Sequence, residues 1–472
     1  MLVIASLLAV VGVLPACADM PWRAEAEAPP SAAGLFLGDS PGVEEPALPS
    51  VDRAHAYTLV ELVDLAQRIN PDTRQAWQRA RAAAADLGRA EAVYLPWLTL
   101  VVAGGVLREP FPSPTGTFSV TGPIVEPNLH LAWTLFDLSR FAQVSAARDR
   151  VHQANFAFTR KHQEVLFAVA RAYFSLDSSV AQLDAAHATL RSAAVVEEAA
   201  QARLDRGLAT QPELLLAREE RTHAEFDVEA AVGAMRDAQG ALAENVGVPP
   251  DPPLNVAVWS GPKPAALVRS VEEVMHATLA DRPDLKAQRA ALRALRADER
   301  GARGRFAPRV AVEVDTGYQL WRFQSTPGAS FTLSEPSVDA HVRLDWDFFR
   351  GFEDVERLHE AEAERAVGEA ALAGGSLRAL REAWTAYFDV KTAERKITFA
   401  SAALAASEEA YAASLETYRR GLGSLVDLLT AERDLASARS IDIASHAELL
   451  TAAAALTLSI GATAPPTSSA VR

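Results

Sequence analysis

Ionisable residues alternate with apolar residues in two stretches of the second half of the chain. The first stretch is RVAVEVDTGYQL, residues 309–320, and the second is SVDAHVRLDWDFF, residues 337–349. Their acidic, basic or imidazole side chains on one face are Glu313, Asp315, Asp339, His341, Arg343, Asp345 and Asp347. Because every second residue of a strand points to the same side, these side chains lie on one face and the apolar side chains lie on the other. Carboxylates attract cations, so the pattern predicts a polar surface that faces water and favours cations.

The sequence contains none of the common signatures of catalysis. It has no GxxxxGK[ST] phosphate loop, no HExxH zinc motif and no GxSxG nucleophile motif. The ten histidines are scattered, so we interpret His341 as part of the polar strand face and predict no metal site. The net charge of −15 argues against nucleic-acid binding. The sequence therefore predicts neither an enzyme nor a cofactor.

The apolar faces of these strands allow two interpretations. Strands of about 10 residues with one apolar and one ionisable face are typical of a transmembrane β-barrel. A soluble sandwich with the apolar face turned inward has the same alternation, so the pattern alone leaves both open. The first half repeats the pattern in residues 127–136, after a more uniformly apolar strand that begins at Trp97. Loops are expected near 108–126 and 321–337, where Gly, Pro, Ser and Thr are frequent.

The predicted strand count bears on the membrane interpretation. Four strands in one chain cannot close a barrel, and an open sheet edge is unstable in lipid. A membrane protein of this kind must therefore be an oligomer. Two copies would supply about eight strands and leave almost no lumen, whereas three copies would supply about twelve and leave a channel.

Very long helices are the second kind of element that the sequence predicts. Residues 139–206 contain neither glycine nor proline, and a continuous helix of that length would be on the order of 100 Å long. Such an element implies a coiled coil or a helical tube rather than a compact domain. The second half contains Gly368, Gly374 and Gly375 in the corresponding region, where we expect a kink or a short break.

The long helices are predicted to end in tight hairpins. The residues of the two tips are Arg206, Gly207, Leu208, Arg420, Gly421 and Leu422. A basic residue suits the negative end of the helix dipole, and the glycine that follows can take the left-handed conformation of a C-cap. The leucine after each glycine has no evident core to enter at a hairpin tip, which predicts a docking surface.

The helices that return from the tips are predicted to begin with capping boxes. Thr210 and Glu213 have the required spacing at the first tip, as do Ser424 and Asp427 at the second. Pro212 lies in the first turn of its helix, where its missing N–H does no harm. Each half of the chain therefore contains one complete helical hairpin.

An internal repeat relates all these elements, and each repeat is predicted to open with one amphipathic helix, over residues 58–94 and 271–306. Residues 69–100 align with 281–312, WTLF at 133–136 with WDFF at 346–349, and the two tips with each other. The aligned pairs lie about 210 residues apart and keep their order along the chain, which is the signature of a duplicated unit. The predicted domains are a first repeat (57–248), a linker (249–268) and a second repeat (269–463). A flexible leader (18–56) precedes them and a disordered tail (464–472) follows.

Residues 1–17 are predicted to be a signal peptide, because their apolar run is too short to span a bilayer. Leu14-Pro15-Ala16-Cys17 is similar to a lipoprotein cleavage motif in which Cys17 would receive lipid, but Ala16-Cys17-Ala18 also fits an ordinary cleavage site. Cys17 is the only cysteine, so no disulfide is expected. No other stretch is apolar enough to suggest a transmembrane helix.

Together these motifs resemble the outer membrane efflux protein (TolC-like) family, over residues 57–463. The resemblance is carried by Asn70-Pro71-Asp72, Arg282-Pro283-Asp284-Leu285, Trp133-Thr134-Leu135-Phe136 and the two tip motifs. It implies a mainly α protein with membrane β-structure, built from two structural repeats. A long α-helical coiled-coil barrel would join a trimeric, twelve-stranded transmembrane β-barrel with four strands per chain. The resemblance also implies a homotrimer in contact with outer-membrane lipid of a Gram-negative cell and extending into the periplasm.

The resemblance assigns roles to individual residues. The tips, Arg206–Leu208 and Arg420–Leu422, would contact a periplasmic adaptor protein that links the channel to an inner-membrane transporter. Asp427 and its counterpart Glu213 would lie at the periplasmic entrance. Thr430 stands where some relatives have a second carboxylate, so the acidic ring is expected to be thinner here. The charged strand residues would line the barrel lumen.

The implied function is a passive exit duct of a tripartite efflux or type I secretion system. The alternative is a soluble periplasmic coiled-coil scaffold or adaptor, against which the paired amphipathic strands argue. The sequence leaves the exported substrate and the type of pump open.

Overall fold

The computed structural model describes residues 51–52, 54–113, 116–259, 270–325 and 330–462. The predictions made for the signal peptide, for lipidation at Cys17, for the leader up to residue 50 and for the tail at 464–472 lie outside these residues. The described residues form two copies of one arrangement, in which two short helices, two strands and two long helices follow each other.

Each repeat opens with two helices where we expected one. They are α1 (Leu59–Ile69) and α2 (Pro71–Glu91) in the first repeat, and α5 (Val271–Asp281) and α6 (Pro283–Gly304) in the second. The prediction of single helices over 58–94 and 271–306 is therefore wrong. The chain turns at Asn70 and Arg282, whose ψ angles of 126° and 121° are extended, because a following proline disfavours the helical conformation. That proline then starts the next helix, where its fixed φ is suitable.

The strands form one antiparallel sheet in the order β1-β2-β3-β4. They are β1 (Trp97–Ser113), β2 (Gly116–Phe136), β3 (Arg309–Ser325) and β4 (Ser330–Asp345). The loops expected at 108–126 and 321–337 are mostly strand, because ladder hydrogen bonds continue through residues whose composition is typical of loops. Conversely, β4 ends at Asp345, so Trp346 and Phe348 follow the strand instead of belonging to it.

The register of the sheet joins the two repeats through β2 and β3. Leu98, Leu131, Val314 and Ala340 are paired across the four strands, and the adjacent row consists of Thr99, His130, Asp315 and Asp339. Successive rows point to opposite faces of a sheet. One face is therefore apolar along all four strands. The other face is polar on β2, β3 and β4, whereas on β1 it carries Thr99 between the apolar residues Trp97 and Val101.

A repeated tryptophan closes the end of each strand pair. The Trp133 indole N–H donates to Tyr94 O at 3.0 Å, and the Trp346 indole N–H donates to Phe306 O at 3.1 Å. Each bond ties the end of the second strand to the residues just before the first. This contact explains why the tryptophan recurs in both repeats.

The long helices are α3 (Leu138–Asp205), α4 (Gln211–Val246), α7 (Glu353–Arg419) and α8 (Leu425–Ile460). The expected length of α3 is confirmed, at 68 residues. The expected break in α7 is wrong, because this helix runs for 67 residues without interruption. A Cβ on Gly368 would lie 2.6 Å from Leu295 Cδ1, and one on Gly375 would lie 2.1 Å from Gln288 Oε1. These glycines therefore allow α6 to approach α7 closely.

Small side chains fill most of the helical core. One apolar cluster joins α1, α3 and α4, a second joins α5, α7 and α8, and a third joins all four long helices near the tips. Among the described helices only α8 is long and apolar enough to cross a bilayer by length and composition, a property we had not expected of any segment. Its residues Leu449, Ala452 and Leu456 are buried against α5 and α7, as in the core helix of a bundle.

Candidate functional site

Both helical hairpins turn in the same way, as the sequence predicts. Leu208 N–H donates to Arg203 O and Gly207 N–H donates to Leu204 O, both at 2.8 Å. The equivalent bonds of the second tip join Leu422 to Thr417 and Gly421 to Tyr418. The φ angles of Gly207 and Gly421 are +71° and +78°, which is the left-handed conformation of a Schellman cap. The duplicated Arg-Gly-Leu sequence is thus a helix stop.

The two return helices begin differently. At α8 the Ser424 hydroxyl accepts from Asp427 N–H at 3.1 Å and donates to the Asp427 carboxylate at 2.7 Å. At α4 the Thr210 side chain makes no bond to the helix backbone; its hydroxyl donates to the Glu213 carboxylate at 3.3 Å. The N-cap bond of the predicted box is therefore confirmed for Ser424, where the reciprocal bond from Ser424 N–H to Asp427 is not formed, and the predicted box is wrong for Thr210.

The tips present apolar side chains to solvent. Leu208 is 63% exposed and Leu422 is 79% exposed, so neither enters a core within the protomer. Arg206 and Arg420 are also exposed, and Arg420 pairs with Glu416 at 2.7 Å. Each tip is therefore a leucine beside a cation, with both side chains accessible to a partner.

Arg203 connects the two tips and was not among the predicted residues. Its guanidinium donates to Tyr418 O and to Leu208 O, each at 3.0 Å, and lies 4.4 Å above the centre of the Tyr418 ring. Burial raises the pKa of the Tyr418 hydroxyl, whereas the charge of Arg203 opposes this shift. In the sequence Arg203 looks like any basic residue in the last turn of a helix, so only the structure identifies its partner.

The carboxylates proposed for the entrance lie on the exposed first turns of the return helices. Asp427 lines a groove between α7 and α8 together with Ala410, Thr430 and Asp434. Glu213 holds the equivalent position on α4. The cap bond of Asp427 leaves its side chain exposed, so capping and exposure to solvent are compatible.

The predicted charged residues of the strands lie together on the polar face of the sheet, except Asp347, which follows the end of β4. Glu313 contacts the Arg343 guanidinium at 2.9 Å and His341 Nε2 at 3.3 Å, and His341 Nδ1 lies 2.6 Å from the Asp339 carboxylate. Asp345 is 3.0 Å from Arg343. Glu313 lies on β3 and the other residues lie on β4, so the contacts of Glu313 join the two strands, while Asp339 and Asp345 extend the network along β4.

Asp315 shows that the polar face extends beyond the second repeat. Its carboxylate lies 2.9 Å from His130 Nδ1 and 3.4 Å from the Asn128 amide nitrogen, both on β2. His130 and Asn128 were not predicted as site residues. Their alternation with leucines in PNLHL already indicated that they lie on the polar face of the strand. A single histidine does not identify a site, however, unless the position of its partner is known.

The apolar face of the sheet is uncovered in the protomer. The exposed large apolar side chains of the two edge strands include Leu98, Leu100, Val102, Val338, Val342 and Leu344. The described residues supply no second layer that packs on this face, and β1 and β4 leave one open edge each. A soluble sandwich would bury these side chains, so the exposed face selects the membrane interpretation that alternation alone left open.

The described residues hold no group of three or more His, Cys, Asp or Glu side chains arranged for a metal ion. The arrangement combines a polar sheet face, an apolar sheet face and two accessible hairpin tips.

Comparison with known proteins agrees with this geometry. The outer membrane efflux protein family matches residues 62–248 and 274–462. Protein CyaE of Bordetella pertussis is 30% identical over 431 residues, which cover 89% of this chain and 88% of that protein. The outer-membrane channel OprN has a TM-score of 0.73 at 21% identity, covering 90% of this chain and 98% of that one. The outer membrane protein VceC of Vibrio cholerae has a TM-score of 0.71 at 21% identity, covering 86% and 96%.

The family match falls on the two repeats, and the solved structures share the fold of long helices and a small sheet. The channels of this family are trimeric and work within tripartite efflux or secretion systems. Together with the exposed apolar sheet, the comparisons confirm the resemblance drawn from the motifs: the chain belongs to the outer membrane efflux protein family and is an outer membrane channel.

Proposed function

We propose that this channel is the exit duct of a tripartite efflux or type I secretion system, through which substrates pass without any bond being broken. The observation that carries the proposal is the sheet with one uncovered apolar face and one charged face. Pairing β4 of one copy with β1 of the next would remove both open edges. Three copies would give about twelve strands, enough for a lumen.

In this arrangement the charged face lines the lumen and the apolar face contacts lipid. The proposed lumen residues are Glu313, Asp315, Asp339, His341, Arg343 and Asp345, and we include His130 because it contacts Asp315. Their mutual pairing supports the strands, while the excess of carboxylates over arginines favours cations. Energy for transport would come from a partner transporter in the inner membrane.

The hairpin tips are the proposed contact with a periplasmic adaptor. This role is supported by the exposure of Leu208 and Leu422, which are flanked by Arg206 and Arg420. Small accessible apolar groups beside cations are suited to a helical hairpin with acidic and apolar residues. Asp427 and Glu213 would then lie beside this contact, at the periplasmic entrance.

Site-specific photo-crosslinking in cells tests this contact. A photoreactive amino acid at position 422 should form an adduct with a periplasmic protein that has an inner-membrane anchor and a helical hairpin. Position 60 on α1 is the matched control, because Val60 is 77% exposed and Leu422 is 79% exposed, yet Val60 lies far from the tips along the helices. Adducts with that protein from position 60 but not from position 422 would place the adaptor elsewhere.

A second measurement separates the duct from the soluble scaffold. The duct predicts that detergent is required for extraction, that the trimer band is heat-modifiable, and that the purified protein conducts ions in planar bilayers. Extraction without detergent would contradict the proposal.

A further inference from the structure

Glu432 is a buried carboxylate on the packing face of α8. It lies in a buried stripe with Leu425, Leu428 and Leu435, at the spacing of one helix face. Glu432 is 2% exposed, and neither of its carboxylate oxygens has a hydrogen-bond partner among the described residues. A buried charge without a partner is costly in free energy. Ionised Glu432 therefore destabilises the packing of the apolar residues around it.

The groups around Glu432 do not neutralise it. From α4, Glu220 faces it, and Glu220 is already paired with Arg433, its Oε1 lying 3.1 Å from the Arg433 Nε. From α7, Tyr411 faces it, and Ser192 of α3 bonds to Tyr411. Among the described residues, the only cation whose charge acts on Glu432 is Arg433, which is already paired with Glu220. Burial raises the pKa of Glu432 to about 7, Glu220 raises it further, and Arg433 opposes both effects.

The position of Glu432 connects the two hairpins of one protomer. The apolar cluster next to it contains Ala200 of α3, Leu214 of α4, Tyr418 of α7 and Leu428 of α8. The equivalent residue in the first repeat is Arg218, which is exposed. The buried carboxylate is therefore confined to the second hairpin.

We propose that Glu432 is a proton-dependent switch of the contact between the two hairpins. The neutral carboxyl group keeps α8 packed on α3 and α4. The ionised carboxylate leaves the apolar cluster and separates α8 from them near the tips. If the tips border the periplasmic entrance, as the proposed function holds, loss of the proton widens that entrance.

The direction of the pH dependence follows from proton linkage. Because Glu432 binds its proton more tightly in the packed state than in the separated state, packing is fully favoured below the ordinary glutamate pKa of 4.5. This advantage is lost as the pH rises through the folded-state value of about 7. The packing equilibrium should shift by roughly 300-fold between a pH well below 4.5 and one well above 7, since each pKa unit corresponds to a factor of about ten. Between pH 5 and 8.5 the expected shift is about 75-fold.

The test uses the full-length trimer in detergent and in planar bilayers. The variants are Glu432→Gln and Glu432→Leu, which are always neutral, and Glu409→Gln, which changes an exposed carboxylate of α7. Hydrogen exchange of segments 193–204 and 425–438 is measured from pH 5 to 8.5, corrected for the intrinsic rate. We expect protection to fall with rising pH in the wild type and in Glu409→Gln, and to stay high in both Glu432 variants.

Ionic conductance then separates this switch from the proposed function. If conductance rises with pH in the wild type and stays low and constant in the Glu432 variants, the result supports both the switch and the duct. A pH-dependent exchange without conductance at any pH supports the switch and contradicts the duct. Exchange that is independent of pH in the wild type, or that follows the same pH profile in Glu432→Gln, overturns the switch.

Discussion

Replacing Gly461 with alanine tests the contact between the two ends of the second repeat. Gly461 follows α8 with a φ of +82° and lies against the turn between α5 and α6. A Cβ at this position would be 2.8 Å from Arg282 Cα and 3.1 Å from Pro283 Cδ. Both neighbours belong to the chain backbone or to a rigid ring, so neither can move aside without shifting a helix.

The expected cost has two parts. An L-residue in the left-handed conformation costs about 1–2 kcal/mol, and forcing a methyl group into a filled site costs about 1–3 kcal/mol more. Gly461→Ala should therefore destabilise its contact by roughly 2–5 kcal/mol. Gly421→Ala is the matched control, because its φ is +78° and nothing lies within 4 Å of its Cβ. The control should show only the first part.

Hydrogen exchange of the intact trimer measures both effects as local free energies of opening. Gly421→Ala should speed exchange in the last turn of α7, and Gly461→Ala should speed exchange in the last turn of α8. The acceleration at Gly461 should exceed the acceleration at Gly421 by at least a factor of about five. The same comparison can be made in the first repeat, between Gly247→Ala and Gly207→Ala. There a Cβ on Gly247 would lie 2.9 Å from Asn70 Cα, while Gly207 is open. Equal losses in the crowded and the open member of each pair would refute the steric argument.

Three further predictions concern the helices. Arg203→Ala should speed exchange at both hairpin tips by one to two orders of magnitude, because each tip loses one charge-assisted bond worth about 1.5–3 kcal/mol, whereas Arg206→Ala should leave the second tip unchanged. Gly374→Ala should stabilise α7 by about 0.5–1 kcal/mol, because the site is open and alanine favours helix. Gly304→Ala should lower the thermal stability of the trimer, because its Cβ would lie 2.8 Å from Ser139 N; no change would contradict the close packing of α6 on α3.

Local features of the chain could be read from the sequence with good accuracy. The Schellman caps at Gly207 and Gly421 depend on residues within one turn of each other, and so does the cap at Ser424. The alternation around Glu313 and Asp339 likewise identifies one face of a strand without knowledge of its neighbours. The ends of the strands were misjudged, because ladder pairing extends them through glycines and prolines that usually mark loops.

Contacts between distant segments could not be read in the same way. Gly368 and Gly375 looked like helix breakers, yet they accept Leu295 and Gln288 of α6 at close range. A glycine can either break a helix or allow a second helix to approach closely. Only the position of that second helix shows which of the two it does. Thr210 illustrates the reverse case, since its spacing fits a capping box but its hydroxyl bonds to a side chain instead.

By itself the sequence determined the duplication, the long helices, the two hairpin turns and the two-faced strands, because each depends on residue order over short distances or on the likeness of two segments. Only the tertiary structure decided that the apolar face is the uncovered one, that Arg203 joins the two tips and that Glu432 is buried with no hydrogen-bond partner among the described residues. These three properties arise from packing between elements far apart in the chain. The alternation of apolar and charged residues is the same whichever face is buried, and the type of one residue does not reveal what lies opposite it.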